Sequence, residues 1–170
     1  MTDLQPPPAD ALALGERLLK QIRGEVLAKG GALPFSRYME LCLYSPGLGY
    51  YSAGLQKFGA AGDFVTAPEI SPLFGRCLAR SCAPVLQACG GDILEIGAGS
   101  GRLAVDLLAG LEQLDQLPER YLILERSADL RERQQSLLGS EQPHLAGRVA
   151  RLDELPAGFR GAVLANEVLD

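Results

Sequence analysis

Four short stretches carry the residues that could do chemistry. Glu95-Ile96-Gly97-Ala98-Gly99-Ser100-Gly101 sets three glycines at alternate positions behind an acid. Glycine lets a backbone turn sharply and lets a ligand approach where a Cβ would collide. A helix that follows such a turn offers unpaired N–H groups to that ligand. Glu125 closes the apolar run Tyr121–Leu124. A carboxylate at such a strand end accepts hydrogen bonds from both hydroxyls of a ribose. Asp153 closes another run, Arg148–Leu152, and the fourth stretch is Asn166-Glu167-Val168-Leu169-Asp170. Ligands of open α/β sheets bind at the strand C-termini, so this pattern describes a nucleotide-like ligand with a reaction edge beside it. The bland readings are a turn shaped only for packing, solvated acids at Glu125 and Asp153, and helix capping by the Asn166–Asp170 group.

The glycine spacing separates two kinds of ligand. A dinucleotide fingerprint needs a further glycine three positions after the second. Here that position is Arg102, and the third glycine comes early, at Gly101. This argues against NAD or FAD and against a nicotinamide oxidoreductase. An acid, one residue, then G-x-G-x-G resembles motif I of class I S-adenosylmethionine (SAM) methyltransferases. A carboxylate at Glu95 then suits the ammonium and sulfonium charges of that cofactor.

These groups need a strand–turn–helix scaffold. Ile93, Leu94 and Ile96 read as a buried strand, and a helix runs from the glycines towards Leu108. Upstream, Leu14, Leu18, Ile22 and Val26 form the stripe of a helix that starts at Ala9 and ends at Lys29-Gly30-Gly31. A second helix covers Ser36–Tyr44 and stops at Ser45-Pro46-Gly47. Residues 46–70 mix glycines and aromatics without a period, which reads as a folded lid. Ser71-Pro72 predicts a helix start, with a bend or break at Pro84 and an end near Gly90-Gly91. Ser127–Leu138 reads as a charged, exposed helix, and Gly161–Ala165 as a fourth strand.

Composition narrows the class. A chain of 170 residues with 47% hydrophobic content suffices for one domain, or a domain with a cap. The net charge of −5, without a basic run, points away from nucleic acid. No apolar stretch reaches the length of a membrane span. Met1–Asp10 has neither an apolar signal core nor an arginine-rich amphipathic pattern, so a cytoplasmic location is expected. Cys42, Cys77, Cys82 and Cys89 lack a C-x-x-C pair and read as buried reduced thiols, with no metal site. The single histidine, His144, sits in a polar stretch and reads as a surface residue.

Two further blocks extend the pattern: Tyr38-Met-Glu-Leu-Cys-Leu-Tyr-Ser-Pro-Gly-Leu-Gly-Tyr-Tyr51 and Gly62-Asp-Phe-Val-Thr-Ala-Pro-Glu-Ile-Ser-Pro-Leu-Phe-Gly75. With motif I, Glu125 and Asn166-Glu-Val-Leu-Asp170, the chain resembles the MidA family of SAM-dependent methyltransferases. Mitochondrial members of that family are complex I assembly factors that methylate a protein arginine. The resemblance implies an α/β, class I SAM-methyltransferase (Rossmann-like) fold with an N-terminal helical cap. It implies SAM as cofactor and an arginine side chain of a protein as substrate.

Carried over by position, Gly97, Gly99 and Gly101 would hold SAM and Glu125 its ribose. Asp153 would lie near the adenine, and Asn166 on the cofactor side. Gly62, Thr66 and Glu69 would belong to the lid. Glu69, Glu167 and Asp170 would grip the guanidinium, align one nitrogen with the methyl group and take its proton. Family members run on for about as long again, so the chain reads as a fragment ending after the fourth parallel strand, with strand order 3-2-1-4. The expected organisation is a disordered tail (1–8), a helical cap and lid (9–75) and the first half of the SAM-binding domain (76–170). A second class of function is a non-catalytic assembly partner of a respiratory subunit.

Overall fold

The computed structural model describes residues 7–53 and 65–168. Gly62 and Asp170, both expected at the site, lie outside the described residues, as does most of the expected tail. The chain forms two units, Met1–Leu55 and Gln56–Asp170.

In the first unit, α1 (Ala9–Ala28) is followed by α2 (Phe35–Tyr44). The α1 stripe is borne out: Leu14, Leu18, Ile22 and Val26 are half-buried, while Leu12, Leu19 and Leu27 are exposed. The helix ends on Gly30 and Gly31 with φ of 82° and 100°. The Gly31 N–H reaches back to the Val26 carbonyl at 2.8 Å, which pairs a carbonyl that the helix end would otherwise leave free. Arg37 on α2 clasps Glu25 on α1 through Nε and Nη2, at 2.8 and 3.0 Å. After α2 the chain doubles back. Tyr50 and Tyr51 donate backbone N–H groups to the carbonyls of Cys42 and Leu43, and the Tyr44 and Tyr51 rings stack 5.6 Å apart.

The second unit begins its described part with α3 (Ala67–Ile70), a single turn that no sequence period announces. Helix α4 (Leu73–Cys89) begins within a residue of the start that Ser71-Pro72 suggests, and the Ser71 hydroxyl accepts the Leu73 N–H at 3.2 Å, as an N-cap does. It runs through Pro84 without a break. Then come β1 (Asp92–Ile96), α5 (Arg102–Gln113), β2 (Tyr121–Leu124), α6 (Ala128–Glu141), a short 3₁₀ turn (Ala146–Arg148), β3 (Val149–Leu152) and β4 (Gly161–Leu164).

The four strands are parallel in the order β3-β2-β1-β4, as expected. Ile93, Tyr121 and Ile123 join Ala79, Cys82 and Leu86 of α4, Leu103, Leu107, Leu108 and Leu111 of α5, and Leu138 of α6 in one core. Two glycines let α4 and α5 approach closely. A Cβ at Gly75 would sit 2.6 Å from the Cβ of Asp106, and one at Gly110 would sit 2.8 Å from that of Ala79. Helix α6 is not the exposed helix its charges suggest: Leu130, Gln134 and Leu138 bury one face. Only Cys82 of the four free cysteines is buried, and Cys77 is exposed, which corrects the expectation of four buried thiols. His144 is at the surface, beside Glu112.

Candidate functional site

The site is built on the turn between β1 and α5. Gly97, Gly99 and Gly101 all take left-handed backbone, with φ of 67°, 54° and 87°. Side chains are strongly disfavoured there, which is why this spacing of glycines makes this turn. The turn is pinned at both ends: Gly97 N–H donates to the Leu124 carbonyl at 3.0 Å, and Gly101 N–H to the Ala98 carbonyl at 2.9 Å. The turn lies at the C-terminal end of β1 and leads into the N-terminus of α5.

Glu125 stands at the end of the neighbouring strand β2 and is buried. Its Oε1 accepts the Ser127 N–H at 2.9 Å, and its Oε2 lies 3.4 Å from the Gln134 amide nitrogen. Burial pushes its pKa up, against the opposing pull of the Ser127 and Arg126 N–H groups, Gln134 and Arg131. Arg131 locks the same edge. It donates to the Glu125 carbonyl, to the Leu152 carbonyl at 3.0 Å, and pairs with Asp153 at 2.8 Å. Asp153 is therefore tied to the end of β2 through Arg131, although its own side chain is exposed. A shallow hollow lined by Arg126, Ala128, Arg131 and Asp153 opens there.

Glu69 reaches the turn from α3. The Ser100 hydroxyl donates to its carboxylate, and the same hydroxyl accepts the Arg102 N–H at 3.2 Å. Thr66 heads α3, and its carbonyl accepts the Glu69 N–H at 2.9 Å. On the other side, the segment after β4 passes the turn: a Cβ at Gly97 would meet Val168 Cγ2 at 3.3 Å. Asn166 is half-buried in that segment, and Glu167 is exposed with a left-handed φ of 51°.

Glu95 lies elsewhere. It is buried, and its Oε2 accepts the Tyr121 hydroxyl at 2.7 Å within the core. Burial raises its pKa to about 7; the Tyr121 hydrogen bond opposes this and the charge of Glu125 adds to it.

The structure thus brings Glu69, the three glycines, Glu125 and the β4 end around one turn, and it sets Glu95 beneath them. The family described as "Putative S-adenosyl-L-methionine-dependent methyltransferase" matches residues 77–170. The chain belongs to this family. A mitochondrial protein arginine methyltransferase NDUFAF7 homolog from Drosophila melanogaster is 33% identical, covering 90% of this chain and 40% of its own. Its Caenorhabditis elegans counterpart is 27% identical, covering 96% and 44%. A solved structure from Burkholderia thailandensis, bound to S-adenosyl-homocysteine, is 50% identical with a TM-score of 0.87. It covers 99% of this chain and 45% of that one. The fold is therefore the α/β fold of this methyltransferase family, and the chain spans less than half the length of these relatives.

The relatives also overturn one expectation. A cytoplasmic location was inferred from the composition of Met1–Asp10, whereas the curated relatives are named as mitochondrial proteins. The composition of ten residues is too little to carry that inference. No described helix is long and apolar enough to cross a membrane.

Neither Arg131 nor Gln134 stands out in the sequence as a site residue. Gln134 is fully buried, and its amide donates to the Gly99 carbonyl at 3.0 Å. The available signal was its place between Leu130 and Leu138, one turn from each on a single helix face.

Proposed function

We propose that this chain forms the cofactor-binding part of a SAM-dependent methyltransferase whose substrate is an arginine side chain of a protein. The observation that carries the reading is the run of three left-handed glycines opening onto buried Glu125. A ligand that needs close backbone approach, and that offers a vicinal diol beside it, fits such a cradle. The family and the S-adenosyl-homocysteine in the Burkholderia thailandensis neighbour support the same ligand. The names of the curated relatives support arginine as the acceptor.

In this reading Gly97, Gly99 and Gly101 hold the amino-acid end of the cofactor, and Glu125 holds the ribose hydroxyls. Asp153 borders the adenine, and Asn166 touches the cofactor side. Glu95 supports the turn from beneath, through its hydrogen bond with Tyr121. Bound SAM supplies an electrophilic methyl group on a sulfonium. The chain's own task is then to orient a guanidinium, which is protonated in water and must release a proton to become a nucleophile. Glu69, Glu167 and Asp170 are the acids for that work. Glu69 has the best support, because its contact with Ser100 holds it at the turn. Thr66 belongs with Glu69 beside the turn, where its carbonyl accepts the Glu69 N–H.

The test is methyl transfer from labelled SAM to arginine in candidate protein targets. Amino-acid analysis of the product should return methylarginine with the whole protein and none with its Gly99→Val variant. Label on another residue type would remove the arginine assignment and leave the cofactor site standing.

A further inference from the structure

We propose that Gln134 is a positioning residue of the cofactor site, setting the Glu125 carboxylate against the glycine turn so that the site selects ligands bearing ribose hydroxyls. The inference rests on the reading of Glu125 as the ribose acid.

Gln134 lies on α6, with none of its surface exposed. Its two amide hydrogens have two acceptors: the Gly99 carbonyl at 3.0 Å and Glu125 Oε2 at 3.4 Å. One side chain therefore joins the turn after β1 to the acid after β2. The turn and the helix are also in tight contact, since a Cβ at Gly101 would lie 3.1 Å from Gln134 Cγ and 3.2 Å from its Cα.

Packing alone does not ask for an amide here. Leu130 and Leu138 flank Gln134 on the same face and are buried, so an apolar residue would continue the stripe. The amide instead leaves its Oε1 buried without a hydrogen-bond partner among the described residues. An unpaired buried acceptor is unfavourable, and an aliphatic side chain would avoid it. What the amide alone supplies is the pair of donors. The Ser127 N–H holds Oε1 of Glu125 at 2.9 Å. With the Ser127 and Arg126 N–H groups on the same carboxylate, a side-chain donor on Oε2 fixes its plane.

The experiment is calorimetric titration of S-adenosyl-homocysteine, and of its 2′,3′-dideoxy analogue, into the wild-type protein and Gln134→Met. Methionine keeps the length and apolar bulk and donates nothing. The expected result is a loss of at least about ten-fold in affinity for S-adenosyl-homocysteine and less than about three-fold for the analogue, as one oriented hydrogen-bond system is removed. If Gln134→Met does not fold, Gln134→Asn takes its place, because it withdraws the amide by one methylene; the same selective loss is expected. Equal losses for both ligands, or none, would overturn the proposal while leaving the site in place. Failure of the wild type to bind either ligand would overturn the reading of Glu125 and this proposal with it.

Discussion

The Tyr121 hydroxyl donates to Glu95 Oε2 at 2.7 Å inside the core, two residues before the first glycine of the turn. This is a buried acid at the foot of the glycine turn, and burial lifts its pKa from 4.5 to about 7. An acid raised in this way keeps its proton in the folded chain at pH values where the unfolded chain has lost it. Its stabilising contribution is complete below the unfolded value and is lost as pH rises through the folded one. Between about pH 4.5 and 7, stability should therefore fall by at most about 3 kcal/mol from this group. Glu95→Gln keeps an acceptor for Tyr121 and removes the titration. Urea unfolding at pH 5 and pH 7 should show a smaller difference for Glu95→Gln than for the wild type; equal differences would place the titration elsewhere.

The left-handed turn makes a second prediction. Gly101 has φ of 87° and sits against Gln134. Gly101→Ala should cost at least about 1 kcal/mol, since a Cβ is disfavoured in that backbone region and also meets a neighbour. Gly15, inside α1, has nothing within 4 Å of a new Cβ. Gly15→Ala should stabilise by about 0.5–1 kcal/mol through helix propensity. Thermal unfolding of the two variants should move in opposite directions.

The start of α6 supports Glu125. The Ser127 hydroxyl caps the helix by accepting the Leu130 N–H at 3.2 Å, and Ser127 is only 1% exposed. Ser127→Ala should lower stability by about 1 kcal/mol. It leaves the Ser127 N–H on Glu125 intact, so S-adenosyl-homocysteine affinity should change less than three-fold. A ten-fold loss of affinity would mean that the hydroxyl itself serves the ligand.

Catalysis should separate from binding at Glu69. If this acid takes the guanidinium proton, Glu69→Gln should cut turnover by about 10² or more while leaving cofactor affinity within a few-fold. Unchanged turnover would remove Glu69 from the chemistry and leave it as a brace for the turn through Ser100.

Legibility followed the range of the forces involved. The glycine turn and the acid at the end of β2 could be read because each follows from local pattern: an apolar strand, a turn that only glycine tolerates, and a polar strand end. The strand order came with the family resemblance, since which strand lies beside which is set by contacts far apart in the chain. Gln134 could not, because its partners Gly99 and Glu125 meet it only after α6 docks on the sheet. Sequence hydropathy counted it as one more polar residue on a charged helix. Glu95 was placed correctly beside the turn in the chain, but strand alternation turns its side chain into the core towards Tyr121. Helix α3 is a single turn, too short to show a period. Helix α4 continues through Pro84 because its packing on α5 outweighs one missing hydrogen bond. Location is not legible in the composition of Met1–Asp10, and the curated relatives are named as mitochondrial proteins.

The central claim is that the turn from Gly97 to Gly101 receives SAM. The most direct test is calorimetric titration of S-adenosyl-homocysteine into the wild-type protein and Gly99→Val, with circular dichroism to verify that both are folded. The account predicts saturable one-to-one binding by the wild type and none by Gly99→Val, because a branched side chain at a left-handed position fills the cradle. Equal binding by both folded proteins, or none by the wild type, would contradict it.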